Sequence, residues 1–195
     1  VTPPGRPAHI FDYNSVNLEE LYNPPDIGLP EDRTRYDYNL DRQIDLITRP
    51  DGATIDFAYD TGGRLDAITI PRGIYDFDYN PATGNLTTIT APDGGTLGYT
   101  YDGSLLRTTT WSGAVSGSVE QTYDNDFRVI TRGVNGTDAI SFGYDDDSLL
   151  TGAGALAITR IPENGFLDTT TLGVVTTDTD YNGFGEVSLM EAEVG

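Results

Sequence analysis

Cysteine and lysine are absent from this chain of 195 residues, and histidine and methionine occur once each, at His9 and Met190. Without thiols there are no disulfides, no thiol nucleophile and no zinc–thiolate centre, and without lysine there is no Schiff-base lysine. A lone imidazole has no second nitrogen ligand and no nucleophile partner, so His9 reads as a surface residue. The redox compartment stays open, because missing cysteines suit a reducing cytoplasm and many secreted proteins alike. No run of about 18 apolar residues occurs and no charged-then-apolar segment stands at the start, so this segment has no membrane-inserting helix. Positive charge is scarce too. The 11 basic residues, all arginine, face 31 acidic ones, for a formal net charge of -20. Such a surface repels phosphate backbones and argues against nucleic acid as a partner.

What is present is a repeat. Hydrophobic residues make up 37% of the chain, much of it Tyr, Phe, Ile, Leu and Val, which argues against disorder throughout. Tyr59-Asp60-Thr61-Gly62-Gly63-Arg64-Leu65 returns in looser form at Tyr38, Tyr79, Tyr101, Tyr123, Tyr144 and Tyr181. Each tyrosine is followed by Asp or Asn. Successive tyrosines lie 21, 20, 22, 22, 21 and then 37 residues apart. An aliphatic residue follows each at six positions (Ile44, Leu65, Val129, Leu150, Val187), with Leu106 one early and Leu86 one late. A fixed period in the twenties marks an array of small units, each unable to bury its apolar face alone.

Between cassettes, Pro50-Asp51-Gly52, Pro71-Arg72-Gly73 and Pro92-Asp93-Gly94 are turn signals. Residues 54–59 alternate, with Ile55, Phe57 and Tyr59 on one face and Thr54, Asp56 and Ala58 on the other. That is the period of a half-buried strand. Each unit is therefore a hairpin and each cassette is the turn into the next. A loose 112–118 linker and Asn135-Gly136 continue the series, and an extra hairpin turning at Asn164-Gly165 fills the long gap. The expected architecture is all-β: tandem hairpins in a continuous curved antiparallel sheet, with tyrosines in a broken column about 9.6 Å apart. The opposite face carries Asp56, Asp76, Asp78, Glu120, Asp178 and Asp180 and meets water. Residues 1–35 differ. Six of the 11 prolines fall there, at 3, 4, 7, 24, 25 and 30. This lead-in is read as a short strand at 8–13, a helical turn or two at 17–22 and an exposed, mobile loop at 24–33, before the array over 36–195. Both ends of the chain look cut.

Tyr-Asp-x-x-Gly-Arg-Leu at 59–65, with Pro-Asp-Gly turns at 50–52 and 92–94, resembles the YD or Rhs repeat, and the likeness covers about residues 36–190. Such repeats occur in bacterial polymorphic toxins, shell subunits of insecticidal toxin complexes, cell-wall-associated proteins and teneurins. The resemblance implies a segment of a β-shell that encloses a C-terminal toxin or other cargo, in a secreted or surface-delivered bacterial protein. Its partners are then the rest of its parent chain and that cargo. The structural repeat residues are Tyr38, Tyr59, Asp60, Gly63, Arg64, Leu65, Tyr79, Tyr101, Tyr123, Tyr144 and Tyr181. The Tyr101 cassette is short and lacks the Gly-Arg pair, and those at Tyr123 and Tyr144 lack the glycine.

No catalytic, cofactor or metal residue is assigned, and the chain is read as a non-enzyme. Asp124-Asn125-Asp126 and Asp145-Asp146-Asp147 offer oxygen ligands, but neither matches a known calcium loop, and Asp and Asn bond their own turns. Asp76 with Asp78 and Asp178 with Asp180 could serve as glycosidase pairs by spacing alone, but acids repeating along a face suggest a solvated or lumen-lining surface. Gly62-Gly63 and Gly94-Gly95 do not lead from a strand into a helix, so they give no phosphate cradle. Trp111, the one tryptophan, is the candidate glycan contact if the array is instead a cell-surface adhesion or carbohydrate-binding module. An excised strip is also expected to self-associate through its sheet edges.

Overall fold

The structure, a computed structural model, describes residues 2–5, 7–25 and 32–195. Contacts divide the chain into two compact units, residues 1–99 with 111–116, and residues 100–110 with 117–195. The first contains β1 (Ile10–Tyr13), β2 (Glu19–Asn23), β3 (Thr34–Tyr38), β4 (Ile44–Thr48), β5 (Thr54–Tyr59), β6 (Leu65–Ile70), β7 (Gly73–Tyr79) and β8 (Leu86–Thr90). β9 (Thr96–Asp102) and β10 (Leu105–Ser112) are divided between the units. The second contains β11 (Gly117–Tyr123), β12 (Val129–Val134), β13 (Thr137–Tyr144), β14 (Leu150–Ala153), β15 (Leu156–Arg160), β16 (Leu167–Leu172), β17 (Val175–Tyr181) and β18 (Val187–Val194). Within each unit every strand pairs antiparallel with its sequence neighbour, so the fold is the expected all-β array of tandem hairpins.

The two ends of the hairpins are built differently. At one end the turns are tight: Ile70 pairs with Gly73, Ala153 with Leu156 and Leu172 with Val175. At the other end the register slips at seven cassettes, just before Tyr13, Tyr38, Tyr59, Tyr79, Tyr123, Tyr144 and Tyr181. A bulge of this kind bends the strand and increases its local twist.

The alternation of side chains produces two unlike faces. In the first unit Tyr36, Ile47 and Ile55 lie side by side across three strands, as do Phe57, Ile68 and Tyr75, then Phe77, Ile89 and Leu97. Aromatic and β-branched neighbours of this kind contribute about 0.2–1 kcal/mol per pair. On the other face Asp56 lies beside Thr69, Asp76 beside Thr90 and Asp78 beside Thr88. No hydrophobic side chain among the described residues is fully buried, and Thr179 is the one buried residue. Within each unit the strands form a sheet with no buried hydrophobic interior among the described residues.

The expected helical turn at 17–22 is instead a turn followed by β2. The Asn14 side-chain oxygen accepts the N–H groups of Val16 and Leu18, at 3.1 and 3.0 Å. That closes a hairpin which sends 19–23 back along β1. Six residues are too few for a stable helix, and a neighbouring strand offers every backbone group a partner. Residues 26–31 of the expected mobile loop lie outside the described residues.

Candidate functional site

The cassette turn is held by the residue after the tyrosine. Asp60 N donates to Arg64 O at 2.9 Å, and Asp60 Oδ1 accepts the N–H groups of Gly62 and Arg64 at 2.8 and 2.9 Å. Asp124 does the same for Asp126 and Arg128, and Asp145 for Asp147 and Leu149. Asn14, Asn39 and Asn182 take the role with a carboxamide oxygen. Asp and Asn alternate freely because only an acceptor at that position is required. One residue of each loop adopts a left-handed backbone: Gly63 and Gly185 at φ 77 and 79, but also Arg42, Phe127 and Ser148 near φ 64.

Arginine adds charge to the turn. Arg64 Nη2 lies 2.6 Å from Asp60 Oδ2, and Arg128 Nε lies 2.8 Å from Asp124 Oδ2. Each guanidinium also covers the ring of the next cassette, Arg64 at 4.4 Å from the Tyr79 centroid and Arg128 at 5.0 Å from that of Tyr144. Hydrogen bonds from the Arg64 backbone and side chain hold the Asp60 carboxyl below its usual pKa. At Asp124 desolvation works the other way, but the bonds from Arg128 and Asp126 outweigh it and the carboxyl is again lowered.

The tyrosines fasten one hairpin to the one before. Tyr59 donates its hydroxyl to Ile44 O at 2.7 Å, Tyr79 to Leu65 O at 2.8 Å and Tyr144 to Val129 O at 2.9 Å. Tyr38 donates to Glu19 O at 2.7 Å and Tyr123 to Leu106 O at 2.6 Å. The acceptors Glu19, Ile44, Leu65 and Val129 each pair with the preceding tyrosine just past its register slip. The phenol thus serves a carbonyl where the ladder is interrupted. Burial pushes the phenols of Tyr36, Tyr38 and Tyr59 up, and the Glu19 charge (for Tyr36 and Tyr38) or the Asp45 charge (for Tyr59) adds to it.

The other expected positions are placed as follows. Tyr101 is half-buried in β9, and Tyr181 packs against Phe166 with ring centroids 4.9 Å apart. Trp111 is half-buried in β10. Among the described residues, no three His, Cys, Asp or Glu side chains come together as a metal site. His9, expected at the surface, is half-buried; its Nδ1 lies 2.7 Å from the Tyr22 hydroxyl and the rings stack. Two cassette positions escaped the sequence reading. Tyr13-Asn14 forms a further cassette turn 25 residues before Tyr38, hidden by its proline-rich surroundings. In the 37-residue gap Arg160 stands where a tyrosine would, donating from Nε to Leu150 O at 3.1 Å. Counting one period of 21 back from Tyr181 lands on it.

A family model described as Teneurin YD-shell matches residues 1–195. The chain belongs to the teneurin YD-shell family. Solved shell structures agree on the fold. A crystal structure of TcdB2-TccC3 is similar with a TM-score of 0.77 at 14% identity, covering 96% of this chain and 11% of that one. For TcdB2-TccC3-TEV the values are 0.63, 12%, 97% and 12%. For a Tc holotoxin pore from Photorhabdus luminescens they are 0.57, 15%, 83% and 9%. The chain spans about a tenth of the length of these proteins. A comparison with curated proteins found no match. The YD-shell assignment makes the chain a structural repeat segment, with its side chains spent on closing turns and joining hairpins.

Two measurements check this account. Tyr59→Phe or Tyr79→Phe leaves a carbonyl without its phenol donor and should cost about 1 kcal/mol in urea unfolding. Tyr75→Phe, which loses only an exposed bond from Arg72, should cost under about 0.5 kcal/mol. Equal losses at all three would rule out the stitching role. The second measurement is the pH dependence of the unfolding midpoint. Asp60 and Asp124 have lowered folded-state pKa values, so their stabilisation is present above the unfolded value near 4 and lost as pH falls through the folded one. The raised phenols give the opposite limb, present below about pH 10 and lost above it. Asp60→Asn with Asp124→Asn keeps the acceptor that Asn39 supplies and should shallow the acid limb. An unchanged acid limb in that double variant counts against these carboxylates as its source.

Proposed function

We propose that this chain is part of the wall of a YD-repeat shell that encloses a toxin or other cargo domain, in a secreted or surface-delivered bacterial protein. The observation that carries the reading is a sheet that, within each unit, has no buried hydrophobic side chain among the described residues, and that in the first unit is greasy on one face and acidic on the other. Such a sheet is stabilised by continuing into more of itself. Backbone pairing runs from hairpin to hairpin, the phenols lock each pair to the last, and the carboxylates keep the cassette turns closed. The partners are the rest of the parent chain and the cargo. Within this wall residues 36–195 are the array proper, and residues 1–35 are a lead-in that adds one hairpin of the same kind. Trp111, half-buried in its strand, offers only part of its ring to a glycan, so adhesion is not the reading adopted.

Limited proteolysis of the intact parent tests enclosure. Cargo should resist protease while the shell is whole and be digested once residues 36–195 are deleted. Equal digestion in both would remove the reading.

Taken alone, the chain should associate with itself. β18 exposes Val187, Leu189, Met190 and Val194, and within its unit it pairs with β17 alone. Strand edges and uncovered apolar faces of this kind recruit further strands. Sedimentation velocity should show oligomers that grow with concentration, and a monomer at all concentrations would refute the idea.

A further inference from the structure

Two cassettes use an arginine to join a carboxylate to the next tyrosine ring, and they show what such a pair of groups can hold. Arg64 links the Asp60 carboxylate to the Tyr79 ring, and Arg128 links Asp124 to Tyr144. Tyr101-Asp102-Gly103-Ser104-Leu105-Leu106 has the carboxylate, and Tyr123 follows one repeat later, but the cassette itself holds no arginine. A two-residue turn, Gly103-Ser104, joins β9 to β10 instead. The Asp102 side chain makes no ion pair or hydrogen bond among the described residues, and no guanidinium of those residues covers Tyr123. Arg107 lines an adjoining cavity of about 150 Å³ with Asp102 but does not pair with it.

Beside Asp102 there is an open cavity of about 660 Å³, whose lining includes Asp102, Leu105, Tyr123, Asp124, Asn125 and Phe127. This is within the usual size of a small-ligand site. Phe127 is the second irregularity. It holds φ 64 at the loop position where Gly63 and Gly185 stand, a conformation that is strained for a bulky side chain. It is also 71% exposed, so neither backbone preference nor packing accounts for the ring.

We propose that this cavity binds the guanidinium of an arginine side chain from a partner polypeptide, held by the Asp102 carboxylate and the Tyr123 and Phe127 rings. Guanidinium is planar and weakly hydrated, so it can pair with a carboxylate and stack on an aromatic face together; an ammonium is more strongly hydrated and cannot stack. The formal charge of -20 draws basic segments toward the chain and turns anions away. The site is independent of the wall reading, because it follows from the arginine links at Asp60 and Asp124.

Titration of the chain with acetyl-arginine-amide, followed by NMR, tests the site. Saturable shifts should centre on Asp102, Tyr123 and Phe127. A short arginine peptide should bind roughly tenfold more tightly than its lysine counterpart. Asp102→Asn should weaken arginine binding by about tenfold, whereas Asp51→Asn, which removes a charge at another turn, should not. Equal binding of the two peptides, or equal loss in the two variants, means general attraction to an acidic protein and overturns the proposal. Phe127→Gly separates ring from fold: the loop relaxes to the conformation of Gly63, the melting midpoint rises by about 2–4 °C, and binding falls. A lowered midpoint would make Phe127 a structural residue and remove it from the site.

Discussion

A sheet without a buried hydrophobic interior cannot be stabilised by one, so each hairpin has to be tied to the previous one through groups that the ladder leaves over. The bond from a tyrosine hydroxyl to a backbone carbonyl does this at Tyr38, Tyr59, Tyr79, Tyr123 and Tyr144. For Tyr38, Tyr59, Tyr79 and Tyr144 it depends on the register slip at the preceding cassette, which places the acceptor beside an interruption in the pairing. The slip in turn depends on the Asp or Asn that folds the loop onto its own side chain. Turn, bulge and phenol therefore form one chain of causes, and the half-buried rows of Phe, Ile and Tyr add contact area to a frame already set.

Charge is distributed in keeping with this frame. Carboxylates that cap cassette turns are neutralised by backbone N–H groups and, at Asp60 and Asp124, by arginine. Those on the polar face, such as Asp56, Asp76 and Asp78, stand beside threonines. With so few arginines, each one that spans two cassettes matters to its neighbourhood, and the Tyr101 cassette, which has none, leaves Asp102 without an ion pair among the described residues.

Much of the strand plan was legible in the sequence because it is local. Alternation at 54–59 and the Pro-Asp-Gly turns act within a few residues, and an acceptor after tyrosine closes a loop five residues long. Asn17 to Tyr22, read as a helical turn or two, was too short to nucleate a helix, and the strand before it supplied pairing. Tyr13 was passed over because proline density drew the boundary at residue 35. Arg160 could not be recognised by residue type, since it does the work of a tyrosine with a different donor.

Taken alone, the sequence determined the strand alternation, the closed cassette turns, the acidic surface and the repeat that identifies the family, because each rests on neighbours in the chain. Only the tertiary structure decided which carbonyl each phenol serves, that His9 lies against Tyr22, that Arg160 replaces a tyrosine, and that Asp102 and Phe127 line one cavity. Those depend on the register between strands, and a slip of one residue there moves every side chain to the other face.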